Sequence, residues 1–421
     1  MYKKRLIEKK LTEYLEMFSA VLVEGAKGVG KTSTCTLYSS TIFSLDDKNV
    51  LSVVENDMDI IKNSTPTVLI DEWQKSSNVW NYTKRLVDKG LAEGSIILTG
   101  SNPRIDTSAH SGALRIVRLK MRPFTIEEKN MSDSYIRISD ILNGNIEMHG
   151  TTNYTLTSYI DEIYRSGFPL LQNLSDKKNK VLLENYIEYM IKHDFVEIGF
   201  DVRSPLSLKA WLKIYACSIA TITSNKTIWE LSTKNSTLAP SRNTANSYIN
   251  ALNLLNIIDE VEPWLPINDI FKNVGRTPKH FLVDASLALS ILGVDKDKLM
   301  FFDNYKEMKK FKPTYVGQLF ESFVYQSLVV YAEVNDAKLY HFRTSRGDRE
   351  VDFIIEKGNK LLLVEVKAKS MIENEDVKHL NWFEEQAKGK YKIIKLAIYC
   401  GTMAYTRKDN VYVIPAALLG C

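Results

Sequence analysis

The stretch Gly25-Ala26-Lys27-Gly28-Val29-Gly30-Lys31-Thr32 constrains this chain more than any other, because it spells G-x-x-x-x-G-K-[ST] in full. An apolar run of strand length, 19–23, precedes it, and 34–39 follows without Gly or Pro, so a helix can open there. A polyphosphate must be cradled by backbone N–H groups, and only a Gly-rich turn lets them come close. In that frame Gly25, Lys27, Gly28, Val29, Gly30, Lys31, Thr32 and Ser33 form the phosphate cradle. Lys31 reaches the outer phosphates and the Thr32 hydroxyl is a magnesium ligand. The expected ligand pair is ATP with Mg²⁺.

Four further strands follow, at 41–45, 67–72, 95–102 and 114–119, most of them separated by helical stretches. That alternation predicts an α/β fold with a parallel sheet, whose ligands sit at the carboxyl ends of its strands. The 67–72 strand ends in Asp71 and Glu72. Asp71 is placed to hold the metal, and Glu72 to orient or deprotonate the attacking water. Ser101 and Asn102, at the next strand end, are candidates for sensing the terminal phosphate.

A chain of 421 residues suggests two to three domains. A net charge of +4 permits a nucleic-acid partner on a local patch without demanding one. Four scattered cysteines form no C-x-x-C pair, which argues against zinc and for a reducing cytoplasmic setting. Acidic residues follow the basic start too soon for a secretory leader, and no apolar run reaches membrane-spanning length.

With Leu45-Asp46-Asp47, Leu69-Ile70-Asp71-Glu72-Trp73-Gln74-Lys75 and Leu98-Thr99-Gly100-Ser101 in view, the chain resembles archaeal and bacterial AAA-type P-loop ATPases. In that group a C-terminal region of unassigned role follows the ATPase. The resemblance implies that Arg115 is an arginine finger acting in trans, hence a homo-oligomer; Gly112 is not adjacent to it, and Arg118 is the alternative. Tyr164-Arg165-Ser166-Gly167-Phe168-Pro169 is similar to the family's Gly-Gly-Phe-Pro element.

The expected layout is an ATPase domain over 1–130, a helical lid over 131–205, a winged helix-turn-helix over 206–265 and a nuclease-like domain over 266–421. In the third unit, Ser241 is an N-cap and the helix after it shows Arg242, Asn243, Asn246 and Asn250 on one face. Such residues read DNA, but a face this poor in Lys and Arg suits domain packing equally well. In the fourth, a helix with Glu321, a strand with Asp352 and a strand with Glu365 and Lys367 follow the order of PD-(D/E)XK nucleases. Alternate strand residues face one side, so Glu365 and Lys367 point together. Glu321, Asp352 and Glu365 are expected to hold Mg²⁺ or Mn²⁺, with Lys367 handling the attacking water. Arg343, Arg346, Arg349 and Lys369 would track phosphates along the same edge. Two readings stand side by side: cleavage, and a nucleotide-gated switch or scaffold that binds nucleic acid or protein without cutting.

Overall fold

The computed structural model describes residues 2–100, 112–144, 146, 148–234, 239–266, 274–299 and 315–421. Ser101 and Asn102 lie outside them.

Helix α1 (Glu8–Met17) leads into β1 (Ala20–Glu24), the strand that ends at the Gly-rich loop. Then come α2 (Lys31–Cys35), β2 (Thr41–Ser44), α3 (Lys48–Asn56), α4 (Asp59–Asn63), β3 (Val68–Asp71), α5 (Ser77–Asp88), β4 (Ile96–Gly100) and β5 (Val117–Lys120). The five strands form one parallel sheet in the order β2-β3-β4-β1-β5. Its middle strands are apolar and buried on both faces, as a parallel sheet covered by crossover helices requires. The helix after the loop is shorter than expected, because a 3₁₀ turn at Thr36–Tyr38 replaces its end. Strand β5 begins three residues late: Leu114 has φ 65° in a turn and is fully exposed.

The segment expected to be helical from 131 begins instead with β6 (Ile136–Arg137), which pairs with β15 (Leu419–Gly420) at the far end of the chain. Helices α6 (Ile138–Asn143), α7 (Leu156–Arg165), α8 (Asp176–Tyr189) and α9 (Phe195–Glu197) follow, with a π-helical turn at Met190–Asp194. Next come α10 (Pro205–Cys217), α11 (Asn225–Thr233) and α12 (Arg242–Leu254). Each of these three is N-capped by a Ser hydroxyl, and for α12 that residue is Ser241, accepting from Thr244 N. An antiparallel pair, β7 (Ile258–Val261) and β8 (Lys279–Leu282), closes the unit and extends beyond residue 265.

After α13 (Ala285–Leu292), the long helix α14 (Tyr315–Val334) packs on a six-stranded sheet. Its strands are β9 (Lys338–Arg343), β10 (Glu350–Lys357), β11 (Lys360–Lys367), β12 (Lys392–Tyr399), β13 (Tyr405–Thr406) and β14 (Val411–Pro415), ordered β13-β14-β12-β11-β10-β9. Helix α15 (Asn374–Ala387) covers the other face. One buried cluster runs unbroken from Val23 through Phe168, Trp211 and Leu252 to Phe320 and Leu419. Segment 262–264 is stitched to β9, with Trp264 N donating to His341 O at 2.6 Å and His341 N to Glu262 O at 3.0 Å. Those bonds carry β7, and β8 paired with it, against the C-terminal sheet.

Candidate functional site

The loop after β1 needs its glycines. Gly25, Gly28 and Gly30 hold φ of 152°, 83° and 99°, which a side chain tolerates poorly. A Cβ on Gly25 would also lie 2.2 Å from Met121 O. Below the loop, the buried Arg5 guanidinium donates to Val29 O at 2.8 Å and Arg122 O at 2.6 Å, and pairs with Glu128 at 3.0 Å. Above it, Phe168 and Pro169 pack within 3.7 Å of where a Cβ on Gly28 or Gly30 would stand.

Lys31 is buried, and its ammonium donates to Gly25 O at 2.7 Å and Ala26 O at 3.1 Å. Burial pulls its pKa below the ordinary lysine range, with Glu72 and Asp71 opposing. The Thr32 hydroxyl donates to Asp71 at 2.9 Å, and Thr99 bonds the same carboxylate. Parallel pairing of β3 with β4 sets Thr99 opposite Asp71. A hydroxyl and a buried carboxylate this close are a donor set that fits Mg²⁺. Glu72 follows at the strand tip with φ 55°, and Gln74 donates to it at 2.5 Å. Burial raises the Glu72 pKa, against the opposing effects of Gln74 and Lys31.

Lys27 turns away from the cradle. Its ammonium pairs with Asp194 at 2.7 Å and Glu197 at 2.8 Å, and Lys75 bonds the same Glu197. Sequence reasoning assigned Lys27 to the cradle and missed this clamp to the helical segment. It also missed Thr99, whose signal was its position level with Asp71 on the neighbouring strand. Arg115 precedes β5 at the sheet end opposite the Gly-rich loop and pairs with Asp88 at 2.6 Å. It cannot serve the loop of its own chain. Arg118 is half exposed beside Glu24, 3.4 Å away.

A second cluster forms where α14, β10 and β11 meet. Glu321, Asp352, Glu365 and Lys367 do come together, but around a residue not expected there, Lys279 of β8. Its ammonium is 1% exposed and lies 2.5 Å from Glu321 Oε1, 3.1 Å from Asp352 Oδ1 and 3.5 Å from Glu350 Oε1. The Glu321 contact is off the hydrogen-bond direction, so it is ionic. Asp352 Oδ2 accepts from Val366 N at 2.9 Å, and Lys367 turns onto Glu365. Burial would raise Asp352, but Lys279 and Lys367 outweigh it and hold its pKa at about 2. Burial lifts Glu321 to about 8, with Lys279 opposing, and lifts Glu365 well above the carboxylate range. Among the described residues, no three His, Cys, Asp or Glu side chains are arranged to hold a metal ion. The expected Mg²⁺ or Mn²⁺ therefore does not fit this side-chain arrangement. Only the strand Lys-His-Phe-Leu, polar at its start yet buried throughout, hinted at Lys279.

The expected basic edge is partly committed: Lys369 pairs with Asp376 at 2.7 Å, and Arg349 stacks on Trp382. On α12, Arg242, Asn243, Asn246 and Asn250 are all exposed.

Residues 18–130 match the family model described as an AAA domain. Residues 156–298 and 316–419 match two models, each described as a domain of unknown function (DUF8612 and DUF4143). No curated protein matches the chain. Among solved structures, a Walker-type ATPase of Pyrococcus abyssi aligns at 15% identity over 69% of this chain and 96% of its own, with a TM-score of 0.41. Can2 from Sulfobacillus thermosulfidooxidans, in complex with cyclic tetra-adenylate, aligns at 10% identity over 94% and 96%, with a TM-score of 0.20. Overlaps this loose carry no argument. The AAA match agrees with the parallel sheet and the glycine geometry, so the N-terminal part is a P-loop domain of AAA type. No described helix is long and apolar enough to cross a membrane.

Proposed function

We propose that this protein is a Mg²⁺-dependent ATPase that passes its nucleotide state to a nucleic-acid-binding C-terminal region. The observation that carries the reading is the Thr32–Asp71–Thr99 network with Glu72 beside it. Loop amides and Lys31 bind the phosphates, and Lys31 must release Gly25 O and Ala26 O to do so. Thr32 and Asp71 would hold Mg²⁺, which supplies charge against the phosphate oxygens. Glu72 orients a water and takes its proton. Thr99 fixes the Asp71 carboxylate.

The route to the C-terminal region runs through Gly167. It sits beside Phe168 on the loop, its carbonyl accepts from Phe124 N at 2.7 Å, and its N–H donates to Asp284 at 2.6 Å. Asp284 also accepts from Gln326 of α14 at 3.0 Å. A Cβ on Gly167 would lie within 3 Å of Gln326, Pro123 and Asp284, so the contact tolerates only glycine. Helix α14 further meets the ATPase segment where Ile126 N donates to Ser327 Oγ at 2.9 Å.

The nucleic-acid reading is supported by three helices followed by a β-pair, the element order a winged helix would have, with the exposed α12 face as its contact. Arg115, facing away from its own loop, would act on a neighbouring copy. The direct test is ATP turnover and ATP binding in wild type and Glu72→Gln. Turnover should collapse while binding persists; unchanged turnover would refute the water-activating role. For DNA, affinity should fall steeply with salt, and salt-independent or absent binding would return α12 to a packing role.

A further inference from the structure

A cutting site of nuclease type needs a divalent cation between the carboxylates of adjacent strands, held at metal–oxygen distances of about 2.0–2.6 Å. In this chain a side-chain cation stands between those carboxylates. We infer that the Lys279 ammonium takes the place of the divalent metal in the Glu321–Glu350–Asp352 cluster, making that cluster an ionic joint and not a hydrolytic centre. This sharpens the C-terminal half of the proposed function and is independent of the ATPase half.

Three observations carry it. The ammonium lies between three carboxylates on two elements, Glu321 of α14 and Asp352 and Glu350 of β10, at 2.5, 3.1 and 3.5 Å from their oxygens. A metal ion bound to Asp352 Oδ1 and Glu321 would occupy the same space and bring like charges into contact. Second, Lys279 is held there by backbone and packing. Strand β8 pairs with β7, with Val261 opposite Lys279, and the ammonium lies 5.4 Å from the centre of the Phe353 ring. Phe353 continues a stack through Tyr325 and Phe281, whose centroids are 6.0 and 4.0 Å apart in turn. Third, the groups that would complete the chemistry are committed. Both Asp352 oxygens have partners, and Lys367 is bound to Glu365 instead of directed at a water. Among the described residues Glu365 Oε2 is buried without a hydrogen-bond partner, so a metal that did enter would be read at Glu365.

The joint ties β8, which follows the three-helix unit, to α14 and to the sheet. Nucleic acid reaching this edge would be bound without metal and left intact.

The test is Mn²⁺ titration by electron paramagnetic resonance on the full chain without nucleotide, in an Asp71→Asn background that removes the P-loop metal ligand. The expected result is no bound Mn²⁺ at millimolar concentration, and supercoiled plasmid left unnicked. Adding Lys279→Gln should create one site, and adding Asp352→Asn should remove it. If the Asp71→Asn chain itself binds one Mn²⁺, and Glu365→Gln or Asp352→Asn abolishes it, the inference is overturned. A Lys279→Gln chain that melts cooperatively but gains no site overturns it too. Should Lys279→Gln not fold, the Asp71→Asn arm decides alone. ATP turnover measured in the Lys279→Gln chain without the Asp71 change reports on the ATPase separately.

Discussion

Two clusters in this molecule hold the same side-chain types, a lysine beside acids, on a strand tip at the P-loop and across a helix and a strand in the C-terminal region, and they reach opposite arrangements. At the P-loop, Lys31 is hydrogen-bonded to carbonyls of its own loop, and among the described residues the side-chain donors to Asp71 are the neutral hydroxyls of Thr32 and Thr99. In the C-terminal cluster, Lys279 sits directly on Glu321 and Asp352. A carboxylate held by hydroxyls can still take a cation. One neutralised by a buried ammonium has its cation already. On the proposed reading, where the lysine rests separates a site that turns over from one that only holds together.

The comparison breaks most readily at the lysines. Lys31→Ala or Glu72→Gln should lower ATP turnover by about 10³-fold, within the range for losing a positioned acid–base group or phosphate clamp. Lys279→Gln should leave turnover per folded molecule within about threefold, since it touches nothing at the P-loop. Equal losses in both sets, measured by steady-state phosphate release, would erase the distinction.

A second buried ion pair tests what such joints contribute. Lys120 and Arg122 meet Asp259 of β7 at 2.6 and 3.3 Å, tying the ATPase sheet to the helical unit. Asp259→Asn leaves the buried Arg122 with only Glu333, 3.7 Å away, as a counter-charge and should cost about 3–5 kcal/mol in denaturant unfolding. Thr99→Val sharpens the P-loop side. Losing a hydrogen bond to an ionised carboxylate costs about 1.5–3 kcal/mol, so turnover should fall about 10–100-fold with the fold intact.

The smallest effect is on pH. Burial would raise Asp259, but Arg122 and Lys120 outweigh it and hold its pKa at about 2. A depressed folded-state pKa stabilises above the unfolded value, near 3.9, and that stability is lost as pH falls toward 2. The loss should be on the order of 2 kcal/mol, absent in Asp259→Asn, and read from acid unfolding midpoints.

Much of both sites was legible before folding, and the misses share a cause. The phosphate loop, Asp71, Glu72 and the order of Glu321, Asp352, Glu365 and Lys367 follow from local spacing, because each group lies on one element. Thr99 and Lys279 were missed because their partners lie far away in the chain, 28 residues for Thr99 and Asp71 and 73 for Lys279 and Asp352. The Lys27 side-chain clamp was missed for a similar reason: its counter-charges, Asp194 and Glu197, arrive from a helical segment that packs over the loop. Ser101 and Asn102, expected to sense the terminal phosphate, lie outside the described residues.

The sequence by itself determined the glycine loop, the strand tips that carry acids and the alternation that builds each sheet, since steric demands and side-chain periodicity act within a few residues. Only the tertiary structure decided which charges meet. Burial removes the water that would otherwise screen every ion, so a lysine brought in from a distant strand rewrites the chemistry of the carboxylates it reaches.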